Sequence, residues 1–350
     1  MADHYSVLGL MSGTSLDGLD IAHCTFSKGE SWNWQLLQCE TIAYNTYWQE
    51  KLATAHLFSA VELLQTDAEL AEFHSKCVIS FLDKHQINVD FISSHGHTIL
   101  HNPSNKYTCQ ISSGAIIAAN TGITVISDFR TKDVALGGQG APLVPGGEFI
   151  LFNDFDGFLN LGGIANLSIR DKDNILARDI CTCNMLLNAC ASLTGLAIDT
   201  DGKIASTGRI IPELLDRLNN NDYYHSTGPA SIGKEFFEEH VWPETHQWRS
   251  QQSDLMRTAL EHVAFQVSRR LPKKSRILAS GGGVLNKFLF SRLQELSSAE
   301  IMAGDQKLIC FKEALVFAFL GVLRRRGENN CLKQVTGAIR DHCSGAIHLP

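Results

Sequence analysis

The stretch Leu8-Gly9-Leu10-Met11-Ser12-Gly13-Thr14-Ser15-Leu16-Asp17-Gly18-Leu19-Asp20 decides the fold of this chain. It joins an apolar run, residues 5–10, to a second apolar segment, residues 19–26, through a turn of glycine, hydroxyl and carboxylate residues. This pattern predicts a β-hairpin. Glycine lets the backbone approach an anion, and successive amides form a concave nest for phosphate oxygens. The candidate phosphate-binding residues are Gly13, Thr14, Ser15, Leu16, Asp17, Gly18 and Asp20.

Two carboxylates of this turn are candidates for binding a divalent cation. Asp17 and Asp20 supply the hard oxygen donors that Mg²⁺ prefers, either directly or through water. Asp17 is the predicted ligand of a Mg²⁺ carried by a nucleotide. The alternative is an ordinary hairpin turn whose polar residues only face solvent.

The same design occurs a second time, in residues 156–170. An apolar strand again leads into a glycine turn, Gly162-Gly163, and a second strand returns from it. Two such hairpins predict two similar halves, each offering a turn to one phosphate chain.

A third glycine-rich element follows the apolar strand predicted for residues 276–280. Gly281, Gly282 and Gly283 lead to Asn286 and a segment with apolar residues at helical spacing. A bare backbone beside a helix N-terminus accommodates a phosphate or a flat purine. We therefore predict that Gly281, Gly282, Gly283 and Asn286 bind the adenosine part of a nucleotide.

Two phosphate hairpins and a late glycine-rich loop resemble the actin, Hsp70 and sugar-kinase superfamily. More narrowly, the chain resembles the anhydro-N-acetylmuramic acid kinase family of peptidoglycan recycling over essentially its whole length. Residues 9–18 and the Gly-Gly-Gln-Gly-Ala-Pro block of residues 137–142 are highly specific to that family. The resemblance is carried by residues 9–18, 94–98, 127–130, 137–145, 159–166, 312–314 and 336–338.

The resemblance implies an α/β, two-domain, actin/Hsp70/hexokinase-like (ribonuclease H-like) fold with an active-site cleft between the lobes. It also implies ATP and Mg²⁺ as cofactors. The implied activity opens 1,6-anhydro-N-acetylmuramic acid with water and phosphorylates it to N-acetylmuramic acid 6-phosphate. One alternative is a kinase for another anhydro sugar, such as levoglucosan. A second is a non-catalytic, nucleotide-switched actin- or Hsp70-like protein, although 350 residues leave little room for its interaction module.

Composition agrees with a soluble enzyme and indicates little more about function. A chain of 350 residues predicts two domains, and a net charge of −7 argues against nucleic acid and membrane surfaces as partners. No long apolar run or signal peptide is recognisable, and the ten cysteines show no framework spacing, which favours reduced thiols in a cytosol. Relatives in the superfamily make a homodimer the expected assembly.

The glycine-rich, polar segment of residues 128–150 is predicted to be a hinge or an active-site wall. We therefore expect an N-terminal lobe of residues 1–127 with the first hairpin. Residues 128–326 are expected to form the C-terminal lobe with the second hairpin and the adenosine loop. The tail, residues 327–350, is expected to pack back on the N-terminal lobe, as the resemblance implies.

Opening a 1,6-anhydro ring requires a carboxylate that deprotonates water, together with cations and amides that neutralise the transferred phosphoryl group. In the family this base is an aspartate in a Phe-Asp-Thr-Gly-Pro-Gly-Asn pattern after the second hairpin. The corresponding residues here are 178–184, which keep Asp179 and Asn184. The resemblance makes Asp179 the candidate catalytic base and Asn184 a candidate substrate contact. The alternative for Asp179 is a surface aspartate that opens a loop.

Further substrate contacts are expected around residue 130. Arg130 is suited to clamp a carboxylate, such as the lactyl group of N-acetylmuramate, or a phosphoryl oxygen. Its alternative is a structural pair with Asp128, itself a candidate substrate residue. Gln139 and Gly140 are expected to line the sugar pocket. Glu313 could hydrogen-bond sugar or water, or be an ordinary carboxylate of a first helical turn.

The chain departs from the family pattern at three places, which bear on the exact sugar. Residues 181–183, Cys-Thr-Cys, replace the glycines and proline of the loop, Asn188 replaces an aspartate, and His97 replaces a glutamine. His97 also belongs to a His-x-His-x₃-His pattern that could suggest zinc. A sugar-pocket or packing role is favoured, because the third ligand would have to fold back. Cys181 and Cys183 are predicted to be buried thiols rather than a redox pair.

Overall fold

A computed structural model describes residues 3–172, 174–226 and 231–350. The described strands, in chain order, are β1 (His4–Ser12), β2 (Gly18–Lys28), β3 (Trp32–Ala43), β4 (Phe91–Asn102), β5 (Tyr107–Ile111), β6 (Val125–Ser127), β7 (Gly157–Leu161), β8 (Ile164–Asp171), β9 (Asn174–Thr182), β10 (Arg276–Ser280), β11 (Glu300–Ala303) and β12 (Ala346–His348). Both predicted hairpins are present, because the glycine turns separate runs of apolar residues that pair as antiparallel strands.

The helices connect these strands and cover the sheets. They are α1 (Thr46–Thr54), α2 (Ala60–His85), α3 (Gly114–Thr121), α4 (Thr131–Ala135), α5 (Val144–Leu151), α6 (Asn184–Ser192), α7 (Lys203–Thr207), α8 (Pro212–Asn219), α9 (Lys234–Phe236), α10 (Gln252–Ser268), α11 (Lys287–Leu296), α12 (Gln306–Arg326) and α13 (Lys333–Thr336). The long helix α2 begins with a capping box, in which Ser59 and Glu62 exchange side-chain and backbone hydrogen bonds.

The chain divides into two compact units. Unit 1 combines Met1–Phe152 with Phe311–Pro350, and unit 2 is Asn153–Cys310. This division differs from the predicted boundaries at residues 127/128 and 326/327. Helix α5 and the residue after it pack within unit 1, where the Trp34 indole N–H donates to the Leu151 carbonyl at 3.1 Å and the rings of Trp34 and Phe152 lie 5.1 Å apart.

The two sheets share one arrangement of strands. In unit 1 the order is β12-β6-β4-β1-β2-β3, with β5 beside β4, and in unit 2 it is β11-β10-β7-β8-β9. Each sheet contains a three-stranded antiparallel meander, β1-β2-β3 in unit 1 and β7-β8-β9 in unit 2. Parallel strands extend each sheet from the first strand of the meander: β4 and β6 beside β1, and β10 and β11 beside β7. The predicted pair of similar halves and the α/β, actin/Hsp70/hexokinase-like fold are therefore confirmed.

The C-terminal tail belongs to unit 1. Strand β12 pairs antiparallel with β6, so that Ile347 lies opposite Ile126. Asn330, buried in the segment before α13, donates to the carbonyls of Leu320 and Ser344 at 3.0 Å each. These bonds fasten the tail to α12, the helix that precedes it.

Candidate active site

The turn between β1 and β2 exposes three of the residues that the sequence predicted for phosphate binding. Thr14, Ser15 and Asp17 are exposed, and Leu16 adopts a left-handed backbone with φ of +61°. Gly18 is different, because it is buried and a Cβ there would lie 2.3 Å from the Ile42 carbonyl oxygen. The packing of β2 against β3 therefore accounts for that glycine.

Carboxylates gather beside this turn in unit 1. Burial, and to a smaller extent the charges of Glu313 and Asp17, raises the pKa of Asp20 to about 6, against a hydrogen bond from Thr41. Burial also raises the pKa of Glu313, helped by the Glu148 charge and opposed by Lys312 and Arg130. A cation bound beside Asp20 would relieve the repulsion that Asp17 and Glu313 exert on it. The residues present thus fit a divalent metal at Asp17 and Asp20.

The raised pKa of Asp20 predicts a specific dependence of stability on pH. Between its ordinary value of 3.8 and the folded value of about 6, the native state binds more protons than the unfolded state. The free energy of unfolding therefore falls as pH rises through this window. Asp20→Asn has no carboxyl group to ionise, so this decrease in the free energy of unfolding disappears. The free energy of unfolding of Asp20→Asn, relative to that of the parent, should therefore increase from pH 4 to pH 7 in urea unfolding without Mg²⁺.

A second variant checks the origin of that effect. Thr41→Val removes the hydroxyl that donates to Asp20 at 2.5 Å, which should raise the Asp20 pKa and extend the loss of stability to higher pH. A difference between Asp20→Asn and the parent that stays constant from pH 4 to pH 7 would contradict the assignment.

A buried polar chain that sequence reasoning missed lies behind the first hairpin. The Ser12 hydroxyl hydrogen-bonds the Tyr44 hydroxyl at 2.6 Å and His97 Nδ1 at 2.9 Å. Tyr44 continues to His74 Nε2 at 2.9 Å, and His74 Nδ1 to the Ser112 hydroxyl at 2.7 Å. Burial lowers the pKa of His97 to about 4 and that of His74 to about 3, so both rings are neutral at pH 7.

The His-x-His-x₃-His pattern forms no metal-binding group in the part of the chain that the structure describes. His97 hydrogen-bonds Ser12, while His101 Nδ1 lies 2.9 Å from the Thr108 hydroxyl. His95 is occupied by Arg130, whose Nε and Nη2 lie 3.1 and 2.8 Å from His95 Nε2. The sequence favoured a sugar-pocket or packing role over zinc, and these contacts are consistent with that preference.

Arg130 is held by neutral acceptors. Besides His95, its Nη1 donates to the Gly140 carbonyl at 2.7 Å, and His95 Nδ1 lies 2.9 Å from the Gly96 carbonyl. Burial lowers the pKa of Arg130 to about 10, which keeps it charged at neutral pH. Asp128 does not pair with it within the described residues, since its Oδ1 accepts from the Thr131 amide at 3.2 Å. Arg130 therefore keeps N–H donors and a positive charge for an anionic ligand.

The loop of residues 137–140 is fixed by one buried carboxylate and the tail. Asp133 Oδ2 accepts from the Gly140 amide and its Oδ1 from the Thr336 hydroxyl, each at 2.7 Å. The Gln139 amide donates to the Thr336 carbonyl at 2.7 Å, which leaves the Gln139 side chain exposed. Gly140 is buried with φ of +66°, a conformation that favours glycine. Thr336, in the family block of residues 336–338, therefore helps to hold the loop of residues 137–140 in place.

Lys312 and Glu148 form an ion pair that the sequence did not predict. Their side chains are 4% and 3% exposed, and the pair lies in unit 1 beside Glu313 in sequence. Helices α12 and α5 supply its two members.

In unit 2 the second hairpin is tied to the start of α6. The amides of Cys183 and Asn184 donate to the carbonyls of Gly163 and Gly162 at 2.8 and 3.0 Å. The Asn184 side chain donates to the Leu161 carbonyl at 2.9 Å. Gly163 is exposed, and a Cβ there would meet nothing nearer than the Met185 methyl at 4.0 Å. The turn thus has the open backbone expected of a phosphate site.

The three glycines after β10 have different structural reasons. A Cβ on Gly281 would lie 2.4 Å from Asn160 Oδ1, and one on Gly283 would lie 2.8 Å from Leu161 Cβ. Both glycines therefore permit close packing on the second hairpin. Gly282 is exposed and has room for a side chain. Asn286 Oδ1 accepts from the Leu289 amide at 3.0 Å, so its side chain caps helix α11.

Asp179 lies on β9 at a bulge, where one extra residue, Ile180, lies between the partners of Ala165 and Asn166. Its Oδ2 accepts from the Ile232 amide at 3.0 Å and the Ser231 hydroxyl at 3.1 Å. Burial raises its pKa, against those two donors and Arg178. Its Oδ1 accepts no hydrogen bond from the residues the structure describes, so one oxygen is fixed and the other is open.

Residues 181–183, where the chain departs from the family pattern, follow directly from Asp179 and Ile180 on β9. β9 runs through Thr182, and both Cys181 and Cys183 are fully buried free thiols, as predicted. Burial raises the pKa of each, that of Cys183 to about 12. The thiols pack in the core of unit 2 and leave Asp179 on the strand beside them.

Among the described helices, none is long and apolar enough to cross a membrane.

Comparison with known proteins places the chain in a family. A profile described as anhydro-N-acetylmuramic acid kinase matches residues 5–350. The curated protein of that name from Aliivibrio fischeri is 33% identical over 371 residues, covering 97% of this chain and 98% of the relative. Its namesake from Sulfurovum sp. is 33% identical over 364 residues, with 98% of each covered. A solved xylulose kinase from Lactobacillus acidophilus is 11% identical, with 99% of this chain and 94% of that chain covered and a TM-score of 0.46.

Proposed function

Because the chain belongs to the anhydro-N-acetylmuramic acid kinase family, we propose that it opens 1,6-anhydro-N-acetylmuramic acid with water and transfers phosphate from ATP to O6. The product is N-acetylmuramic acid 6-phosphate. The family gives the kinase class and the sugar, and the structure of each unit suggests the residues. The environment of Asp179 is the observation that supports the proposal most directly. One oxygen of its carboxylate is held by hydrogen bonds, the other accepts none from the described residues, and a carboxylate with a raised pKa is suited to accept a proton.

In the proposed reaction, Asp179 Oδ1 takes a proton from water as the water oxygen bonds to the anomeric carbon. The bond between that carbon and O6 breaks, and O6 bonds to the γ-phosphorus. The bond from the γ-phosphorus to the bridging oxygen breaks, and ADP leaves. The Ile232 amide and Ser231 hydroxyl hold the other carboxylate oxygen, which keeps Asp179 oriented.

Unit 1 supplies the proposed sugar contacts. Arg130, charged and anchored by His95 and Gly140, would bind the lactyl carboxylate of the sugar. The exposed side chain of Gln139 and the carboxylate of Glu313 are further proposed contacts, as are Asp128 and His97. Asn184, in unit 2, also keeps its predicted role as a substrate contact. His97 would act as a neutral donor or acceptor, because it is uncharged at pH 7.

The glycine turns supply the proposed nucleotide contacts. Gly13, Thr14, Ser15 and Leu16 on the first hairpin, and Gly162 and Gly163 on the second, would bind phosphates, with Gly282 beside the adenosine. Gly18, Gly281, Gly283 and Asn286 would shape these turns rather than touch the nucleotide. Mg²⁺ held by Asp17 with Asp20 would neutralise phosphate charge.

We also propose, from the resemblance, that the protein is a cytoplasmic homodimer. Light scattering on the purified protein tests the dimer.

An ADP-release assay with Mg²⁺-ATP tests the function and its specificity. We expect turnover with 1,6-anhydro-N-acetylmuramate and none with N-acetylmuramate, which lacks the anhydro ring. Arg130→Ala should raise KM for the anhydro amino sugar at least about tenfold, the effect of losing a charged hydrogen bond. Levoglucosan, an anhydro sugar without a carboxylate, is the matched control substrate for the contact with Arg130.

The outcomes separate the alternatives. Turnover of levoglucosan alone, unaffected by Arg130→Ala, would assign the chain to another anhydro sugar. Nucleotide binding without ADP release from any sugar would favour the non-catalytic protein.

A further inference from the structure

The side chains of Asp133, Cys331 and His342 meet inside unit 1. All three are buried, and their ligand atoms lie within 4.8 Å of one another. Within residues 3–172, 174–226 and 231–350, this is the one group of three or more His, Cys, Asp and Glu side chains with such spacing. Carboxylate oxygen, thiolate sulfur and imidazole nitrogen are the donors of protein zinc sites.

Backbone hydrogen bonds hold the three donors in place. Cys331 and His342 form an isolated antiparallel bridge, in which each amide donates to the other's carbonyl at 3.0 and 3.1 Å. Directly opposed residues of such a bridge point their side chains to the same face. Asp133 comes from α4, and its Oδ1 lies 3.5 Å from His342 Nε2.

The orientation of His342 places a buried ring nitrogen, Nε2, opposite the Asp133 carboxylate. Its Nδ1 lies 3.3 Å from the Arg340 carbonyl, which can only accept, so Nδ1 carries a proton. In the neutral ring, Nε2 is then a lone pair, and this buried atom has no hydrogen-bond partner. A lone pair facing a carboxylate oxygen is unfavourable unless a positive charge lies between them. A ring N–H bound to a backbone carbonyl is also the usual second contact of a metal-binding histidine.

The charges of the group match a divalent cation. The carboxylate of Asp133 and the thiolate of Cys331 would together offset the two positive charges of the ion, with the Arg130 guanidinium also near both side chains. Binding would release the thiol proton of Cys331 to solvent. A mixed sulfur, nitrogen and oxygen set favours zinc over Mg²⁺ or Ca²⁺, which take oxygen ligands.

We propose that Asp133, Cys331 and His342 bind a zinc ion that joins the C-terminal tail to α4. Asp133 Oδ2 also accepts from the Gly140 amide, so the ion would stiffen the loop of residues 137–140 through the same carboxylate. This site is separate from the proposed Mg²⁺ site at Asp17 and does not depend on the proposed reaction.

The test uses the full chain stripped of metal by chelator dialysis. Adding Co²⁺ as a spectroscopic substitute for zinc should give a thiolate-to-cobalt absorption band that saturates at one equivalent. Zinc should bind with the same stoichiometry by elemental analysis and raise the melting temperature. Cys331→Ser and His342→Gln should each weaken zinc binding at least about a hundredfold, because each removes a direct ligand.

Matched variants control for the loss of any buried cysteine or histidine. Cys24→Ser removes a fully buried thiol of the same unit. His262→Gln removes a buried ring whose Nε2 also lacks a partner but which belongs to no such donor group. Both variants should bind zinc and cobalt as the parent does.

Several results would overturn the proposal. One is a parent protein that takes up no cobalt or zinc and melts at the same temperature with or without chelator. In that case a protonated His342 paired with Asp133 explains the geometry. Another is a thiolate–cobalt band that survives Cys331→Ser. If a variant does not fold, the spectrum and stoichiometry of the parent still decide.

Discussion

Asp179→Asn is expected to lower kcat for ADP release with 1,6-anhydro-N-acetylmuramate by about 10²–10⁴-fold, the contribution of a positioned general base. Asparagine has nearly the same shape, and its carbonyl oxygen can accept from the Ile232 amide and Ser231 hydroxyl as the carboxylate does. It cannot take a proton from water. The KM for ATP should therefore change little while kcat falls, which steady-state kinetics at saturating sugar would measure.

The pH dependence provides a second readout of the same group. Burial raises the pKa of Asp179, and the ionised form is the base, so kcat of the parent should fall as pH drops through that pKa. Asp171→Asn at the exposed end of β8 is the control and should keep parental kcat. A kcat for Asp179→Asn within about threefold of the parent, in a variant with an unchanged melting temperature, would remove Asp179 from the catalytic role.

Lys312→Met is expected to destabilise unit 1 by about 3–5 kcal/mol, the cost of leaving a buried partner charge unpaired. Glu148 is 3% exposed and would face a neutral side chain, because methionine fills similar volume without an ammonium group. Scanning calorimetry of the ligand-free protein would show the loss as a lower melting temperature for the transition that unfolds unit 1.

Two further variants decide whether charge or packing is responsible. Lys312→Met combined with Glu148→Leu removes both charges and should recover most of the lost stability, since a well-packed apolar pair often replaces a buried ion pair at little cost. Lys28→Met breaks the half-exposed pair with Glu328 and should cost less than about 1 kcal/mol. A loss below about 1 kcal/mol for Lys312→Met would show that the pair contributes little.

The sequence by itself determined the local elements that carry the glycine turns. Residues 276–280 were predicted as a strand and form β10, and the hairpin predicted for residues 156–170 appears as β7 and β8. Side-chain period and turn residues act between near neighbours, so they can be recognised along the chain. The family blocks add Asp179 as a candidate base, which stays a prediction until it is tested.

Tertiary structure alone decided which distant polar groups meet. The hydrogen bonds of Arg130 with His95, Ser12 with His97 and Thr336 with Asp133 join residues that are 35, 85 and 203 positions apart in the sequence. The pairing of Cys331 with His342 and the ion pair of Lys312 with Glu148 arose in the same way. Sequence spacing contains no signal for such partners, because strand register and helix packing select them only after the sheets have formed. Burial then sets the protonation of the groups brought together, as in the neutral His97 and the raised pKa of Asp20.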